Sequence, residues 1–254
     1  TIDNLRLVLQ GSQHQVNFDL NAKASGAHKL DAVAIGSLAL GETKAMQLNR
    51  LVLAQDAHHV TLAAPTRVTL QDGAVDLTSV QLTADGGQLV LSGHVADRRI
   101  AASLKAEGVP AAAFELLLPA HGFDGLVDGE ATVDLTPGHA TGRLTLAAHD
   151  IDVVAARRIK APGGKGSPVR LVVRADLNNT GVAAEFELQK LFEQPVRASV
   201  QLPLTVTGDE LLPAVDWQGR LAGGGSWSGN LARLERFLPL ADHRISGQSR
   251  VNLL

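Results

Sequence analysis

The chain has 254 residues, a formal net charge of −3 at pH 7 and no cysteine. Charges of both signs are dispersed along it, which argues against a nucleic-acid-binding surface and a polybasic membrane patch. The absence of cysteine excludes disulfide bonds and thiolate metal sites. Hydrophobic residues make up 45% of the chain but aromatic residues only 3%, so a core must be built mainly from Leu, Val and Ala. No window approaches the roughly 18 apolar residues of a membrane-spanning helix.

Alternation of apolar and polar residues begins at the N-terminus and predicts β-strands with one buried face. Leu5, Leu7 and Leu9 are spaced by two, and from residue 60 onward the same spacing recurs in short runs. Asp72-Gly73 and Asp85-Gly86 have the composition of tight hairpin turns. The apolar pairs in these runs are Val60 and Leu62, Val68 and Leu70, Val75 and Leu77, Val80 and Leu82, and Leu89 and Leu91.

Two segments favour short helices instead. Pro110 is followed by helix-forming residues over 111–118, and Pro119 would end that helix. Asn230 could cap a second helix over 231–238, where apolar residues recur at helical spacing before another proline. Each helix is followed by a glycine-containing turn and an alternating strand, so the segments resemble two copies of one module. Two unrelated short helices, each ended by proline, are the alternative interpretation.

The remaining sequence predicts further strands, for a total of roughly 15 to 20. Residues 161–168 (APGGKGSP) are the most loop-like stretch, and they mark a candidate sub-boundary. The predicted strands that alternate most clearly contain Val133 and Leu135, Leu144 and Leu146, Leu171 and Val173, Phe186 and Leu188, and Val200 and Leu202.

Strands with one apolar and one polar face are typical of antiparallel sheets, and a sheet this large must curl or fold on itself. We therefore predict a mainly β fold, an elongated curled antiparallel sheet that forms an open trough, with two short helices. Residues 1–254 would form one continuous repeat-like segment of a longer protein. The two inner faces could instead meet as a packed core, but the scarcity of aromatic residues favours an open groove.

The combination of short amphipathic strands, LxxLLP-like helices and a Leu-x-Gly turn resembles the TamB family of the AsmA-like superfamily. The matching segments are 114–119 (FELLLP) with 125–129 (GLVDG), and 231–239 (LARLERFLP) with 245–247 (ISG). Residues 91–93 (LSG), followed by Asp97 and Arg98, resemble another recurrent phrase of that family, LSG…DPR, although Arg99 and the missing proline depart from it.

The resemblance implies a periplasmic segment of a bridge between the inner and outer membranes of a Gram-negative bacterium. Such proteins are anchored in the inner membrane and form a long curled sheet, a β-taco, lined with apolar residues. They are implicated in carrying phospholipid and in outer-membrane biogenesis, and some work with a barrel of the Omp85 family, as TamB does with TamA. The implied partners of this chain are therefore phospholipid acyl chains and an outer-membrane barrel.

An apolar trough could bind acyl chains without any chemical step, and no cofactor is expected. For each lining residue, ordinary core packing is the alternative role. The predicted lining consists of Leu62, Leu70, Val75, Leu77, Val80, Leu82, Leu89, Leu91, Val133, Leu135, Leu144, Leu146, Leu171, Val173, Phe186, Leu188, Val200 and Leu202.

Catalytic motifs are not found. His58 and His59 are adjacent, which would place them on opposite faces of a strand, and no zinc-binding spacing occurs. Residues 163–167 (GGKGS) lack the spacing of a phosphate-binding loop, and 223–229 (GGGSWSG) lack a dinucleotide-binding order. We therefore do not expect an enzyme. Besides lipid transport, the sequence leaves open a structural or adhesive β-repeat module with a solid core and a protein partner, and a lipid carrier with a closed cavity.

Overall fold

The computed structural model of the protein describes residues 1–25, 29–96, 98–116, 123–153, 169–205, 213–230, 232 and 247–253. The protein is mainly β, and its strands pair in antiparallel fashion, as predicted. The strands are β1 (Ile2–Gly11), β2 (Gln15–Ala24), β3 (Leu30–Leu40), β4 (Lys44–Gln55), β5 (His58–Leu62), β6 (Thr66–Gln71), β7 (Ala74–Ala84), β8 (Gly87–Ala96), β9 (Arg99–Pro110), β10 (Phe123–Thr136), β11 (His139–Val153), β12 (Val169–Asn178), β13 (Gly181–Gln189), β14 (Val196–Thr205), β15 (Ala214–Val215), β16 (Ala222–Asn230) and β17 (Gln248–Leu253).

The chain divides into two compact units, which are described separately. Unit 1 comprises Thr1–Val109 with Thr132–Thr136, and unit 2 comprises Pro110–Ala131 with Pro137–Leu254. The strand β10 therefore contributes residues to both units. The predicted sub-boundary at 161–168 lies outside the described residues.

Unit 1 is a meander in which each strand except β5 pairs with the next. The strands β1 to β4 pair in sequence, and β4 then pairs with both β5 and β6. Both of these short strands pair with β7, which is followed by β8 and β9. Paired strands that follow each other directly are separated by only a few residues of sequence, as expected for antiparallel pairs.

The tight turns of unit 1 confirm the hairpin prediction. Asp72 and Gly73 join β6 to β7 with φ of 50° and 81°, and Asp85 and Gly86 join β7 to β8 with φ of 45° and 94°. Positive φ at both central residues defines the turn whose twist matches that of the flanking strands. Asp and Gly tolerate this conformation better than most other residues do.

Three bulges explain why the apolar positions change from odd to even numbers within a strand. In β7, Leu77 lies opposite Gly93 and Val80 lies opposite Leu91, so β7 has one residue more than β8 between these pairs. The same extra residue occurs in β4 between 48 and 50 and in β11 between 148 and 151. Because side chains alternate between faces, one extra residue at each change keeps the apolar side chains on one face.

Unit 2 repeats the meander. The strand β10 is followed by β11, and β11 to β14 pair in sequence. The strand β14 then pairs with the two-residue β15 and with β16, and β16 pairs with β17.

The prediction of two short helices is wrong for the described part of the chain, which contains no α-helix. Ala111–Leu116 form a six-residue 3-10 helix instead. A stretch this short between Pro110 and Pro119 gains too few α-helical hydrogen bonds to offset the cost of nucleation, and short pieces commonly adopt the tighter form. The predicted second helix, 231–238, lies outside the described residues except for Ala232, whose N–H donates to Asn230 Oδ1 at 2.9 Å.

Asp85 has a second role beyond its turn. Its carboxylate bonds His58 Nδ1 at 2.7 Å and accepts a hydrogen bond from the His59 backbone N–H at 2.8 Å. Partial burial acts to raise the pKa of Asp85, but these hydrogen bonds and the nearby histidine charges outweigh it, so the pKa lies below its usual value. The ionised carboxylate is therefore stabilised in the folded state.

We expect Asp85→Asn to lower the free energy of unfolding by about 1 kcal/mol near neutral pH, because Asn suits the turn but lacks the charge. A lowered folded-state pKa stabilises the fold above the unfolded-state pKa of about 3.9, and this contribution is lost as the pH falls through the folded-state value. The difference between wild type and variant, measured by urea unfolding, should therefore shrink as the pH falls below about 5.

Asp72→Asn is the matched control, because Asp72 occupies the same position of another tight turn. A difference between wild type and Asp85→Asn that stays constant down to the acid limit would contradict the role assigned to the Asp85 charge.

Candidate functional site: two apolar sheet faces

The strand registers place the apolar residues of unit 1 on a single sheet face, which we call the unit-1 apolar face. Residues directly opposite each other in an antiparallel pair lie on the same face. Val80 is opposite Leu91, and Leu91 is opposite Leu104. The same reasoning places all the predicted lining residues of β5 to β8 on this face. They are Leu62, Leu70, Val75, Leu77, Val80, Leu82, Leu89 and Leu91.

The unit-1 apolar face extends over strands that the predicted lining did not include. Leu7 is opposite Leu20, Leu20 is opposite Ala34, and Ala34 is opposite Leu51. Their alternation is visible in the sequence for β1 and β2, whereas the bulge in β4 interrupts it. The face therefore runs from β1 to β9.

This face is covered only in part. Its side chains are mostly half-buried, and Leu5, Leu7 and Leu9 of β1 are 62%, 55% and 58% exposed. Of the residues that the registers of β1 to β9 place on it, six are buried, and none of them has a side chain larger than Val: Gly36, Val60, Thr66, Ala84, Gly87 and Ala106. A closed hydrophobic core would instead bury most such side chains. Half-burial leaves apolar surface that an apolar ligand could cover.

Phe18 fills a local gap in this face. A Cβ atom on Gly36 would lie 2.6 Å from Phe18 Cζ, so the ring packs directly over this glycine. Gly36 is the residue opposite Phe18 in the pairing of β2 with β3. The aromatic ring thus replaces the missing side chain and keeps the apolar surface continuous.

Unit 2 has a corresponding unit-2 apolar face. Leu146 is opposite Val173, Val173 is opposite Phe186, and Phe186 is opposite Ala198. Phe186 is 38% exposed, so this face too is only partly covered. The predicted lining residues of β11 to β14 all lie on it: Leu144, Leu146, Leu171, Val173, Phe186, Leu188, Val200 and Leu202.

The contact of Asp134 shows to which side of the sheet the two predicted lining residues of β10, Val133 and Leu135, point. Arg99 donates through Nε to Asp134 Oδ1 at 3.0 Å and through Nη2 to Asp134 Oδ2. These hydrogen bonds raise the pKa of Arg99. Arg99 is opposite Ala96, which puts it on the polar side of unit 1. Val133 and Leu135 flank Asp134 and therefore point to the other side, where Leu135 is buried.

One end of the unit-2 apolar face is closed by the loop between β13 and β14. Leu191 and Phe192 are 6% and 5% exposed, and they pack with Val169 against Leu188, Val196, Ile151 and Trp227. The Phe192 and Trp227 rings meet edge to face with centroids 5.7 Å apart, and Trp227 Nε1 donates to Ser249 Oγ at 3.1 Å. This end is a small closed core, whereas the middle of the face remains half-open.

The opposite faces are polar and are connected by bonds between neighbouring strands. His149 Nε2 bonds Asp128 Oδ2 at 2.8 Å, Arg143 Nε donates to Asp176 Oδ1 at 2.9 Å, and His94 bonds Asp76. Exposed ion pairs of this kind contribute little stability individually. Their main consequence is a hydrated face, so that each unit has one wet side and one apolar side.

A shallow open depression of about 760 Å³ lies mainly on the polar side of unit 2. Its lining includes the charged residues Arg174, Glu185, Glu187 and Arg197, and it also includes Gly224. The charges of its rim are balanced, so the depression does not select an ion of either sign.

The described residues contain no group of three or more His, Cys, Asp or Glu side chains that could hold a metal ion. Within the same residues, no helix has the length and apolarity needed to span a bilayer. His58 and His59 do lie on opposite sides of β5, since they pair with Gln55 and Ala54, respectively.

The loop that carries Leu191 and Phe192 was not anticipated from the sequence. Its signal is an adjacent Leu-Phe pair outside the alternating pattern, combined with Gly229 on a strand more than thirty residues away. Neither feature indicates a contact by itself.

No protein-family model, curated protein or solved structure matches this chain. The function must therefore be inferred from the two apolar faces.

Substitution of Gly229 can test the packing of Phe192 at the closed end of the unit-2 apolar face. A Cβ atom there would lie 2.3 Å from Phe192 Cδ1, so Gly229→Ala must displace the ring. We expect a loss of about 1–3 kcal/mol in the free energy of unfolding, as for other overpacked cores. In the background of Phe192→Ala the same substitution should cost much less, and the difference is measurable as a double-mutant cycle.

Gly225→Ala is the matched control, because its Cβ atom would contact Arg197 O at an ordinary 3.4 Å. Equal destabilisation by Gly229→Ala with and without Phe192 would show that the ring does not pack over this glycine.

Proposed function

We propose that the chain shelters phospholipid acyl chains against its two apolar faces, as a segment of a bridge that spans the periplasm between the inner and outer membranes. The observation that carries the proposal is the half-exposed apolar face of unit 1, continuous across β1 to β9 and backed by a polar face. In this proposal the sheet curls with its apolar side inward and forms an open trough.

The energetics of this arrangement suit an acyl chain. Moving a methylene group from water to an apolar surface stabilises it by about 0.8 kcal/mol, so a few carbon atoms suffice for measurable binding. The headgroup stays in water along the open side of the trough. Because the lining consists of similar aliphatic side chains, neighbouring positions along it have similar affinity, and a bound chain could slide.

A structural or adhesive module with a solid core is the first alternative. Such a module needs large side chains that are fully buried against a second layer. In the described residues, the largest side chains that are less than 2% exposed are only Val109 and Val169. The closed cluster around Phe192 is local, so the described packing favours a groove over a solid core.

A carrier with a closed cavity is the second alternative. It would require a continuous wall around the ligand, whereas the lining residues Leu70 and Phe186 are 39% and 38% exposed. An open groove is also the geometry that lets a lipid enter from the side. The proposed partners are therefore phospholipid acyl chains and, at the outer membrane, a barrel of the Omp85 family.

Site-specific photocrosslinking can test which face contacts lipid. A photoreactive residue would replace Val173 on the unit-2 apolar face or its neighbour Arg174, which points to the polar side, in protein exported to the periplasm of a Gram-negative host. We expect phospholipid adducts, detected by mass spectrometry, at least tenfold more abundant at 173, since adjacent residues of a strand point to opposite faces.

Leu77 and Asp76 provide the matched pair for unit 1. Adducts at neither apolar position, together with crosslinks only within the chain, would mean that the apolar faces are packed cores. The structural module would then be the better interpretation.

A further inference from the structure

A tight turn between β15 and β16 presents the most exposed large apolar side chain of the described residues. Trp217 is 86% exposed, although the only other tryptophan of the chain, Trp227, is half-buried. Leu221, four residues further on, is 64% exposed. Trp217 lies in the turn and not on a paired strand of either apolar face, so the lipid-sheltering function does not account for its exposure.

Two hydrogen bonds to Asp216 hold the turn. Gly219 N–H donates to Asp216 O at 3.0 Å, and Gln218 N–H donates to Asp216 Oδ1 at 3.0 Å. The Asp216 carboxylate thereby serves the backbone of the turn, as in an Asx-turn. Trp217 is therefore held on a preformed turn rather than on a loose loop.

The same turn is fixed to the sheet. Asp216 N–H donates to Pro203 O at 3.0 Å, and Val215 pairs with Leu204 of β14. A Cβ atom on Gly219 would lie 2.7 Å from Pro203 Cγ, so this glycine allows the turn to pack closely on the proline ring. Presenting Trp217 costs little conformational entropy at the moment of binding, because the turn is already ordered.

We propose that this turn, residues 216–221, inserts into the interface of a lipid bilayer. The indole ring is amphipathic and is favoured at the level of the lipid headgroups. Leu221 adds aliphatic surface for the upper part of the acyl region, and the exposed Arg220 supplies a positive charge for lipid phosphate. Tryptophan, leucine and arginine within five residues match the layered chemistry of that interface better than they match an aqueous surface.

Insertion would let the chain contact the membrane that supplies or receives its lipid. The inference does not rest on the proposed function, because a bilayer contact at this turn could occur with or without lipid binding to the apolar faces.

Because the chain has two tryptophans, fluorescence can report on each separately. The full chain carrying Trp227→Phe leaves Trp217 as the only reporter, and Trp217→Phe leaves Trp227. We expect vesicles of phosphatidylethanolamine and phosphatidylglycerol to shift the emission of Trp217 to shorter wavelength, and lipids brominated near the headgroup to quench it. Circular dichroism would establish that both variants retain the fold.

Vesicle cosedimentation measures the energetic contribution. Trp217→Ser should reduce partitioning about tenfold, the factor that corresponds to 1.4 kcal/mol. Val8→Ser is the control, since Val8 is opposite Asp19 on the polar side of β1 in unit 1, and it should leave partitioning unchanged.

Unchanged Trp217 emission and quenching in the presence of vesicles would overturn the inference and leave a protein partner as the occupant of this turn. A shift of Trp227 alone would also overturn it, because lipid would then be reaching the unit-2 apolar face and not the turn. Loss of partitioning in Val8→Ser to the same degree as in Trp217→Ser would indicate non-specific adsorption and would contradict the inference as well.

Discussion

The alternation of side chains across an antiparallel sheet is the constraint on which this structure depends. A slip of one residue would carry every apolar side chain of a strand to the wet face. The extra residue in β7 between Leu77 and Val80 prevents this at a point where the sequence pattern changes phase. Equivalent bulges in β4 and β11 do the same, so that both units keep one apolar and one polar side.

Much of the fold can be predicted from this alternation because it is a local property. The hairpin turns at Asp72 and Asp85 follow from residue types that accept positive φ. The predicted lining residues of β5 to β8 and of β11 to β14 lie on one face of their unit, since period two assigns them within each run and the bulge in β7 keeps its two runs on the same side. Whether lipid occupies those faces is a separate matter that alternation cannot decide.

Other features depend on contacts between distant residues or on small energy differences. Phe192 packs over Gly229, and neither residue departs from ordinary loop or strand composition. The segment after Pro110 contains good helix formers, yet over Ala111–Leu116 it adopts a 3-10 helix, because intrinsic propensity is a weak preference in so short a piece. The Trp217 turn likewise depends on Pro203, which packs beneath Gly219.

The meander connectivity has a consequence for how the protein reaches its folded state. Because most strands pair with a neighbour along the chain, most pairings close only short loops, and the entropic cost of each step is small. Contacts of low sequence separation favour rapid formation, so folding can proceed by adding one hairpin at a time. A sheet that grows in this way exposes a fresh strand edge at every stage. Assembly from the N-terminus during synthesis would keep that edge next to the strand that covers it.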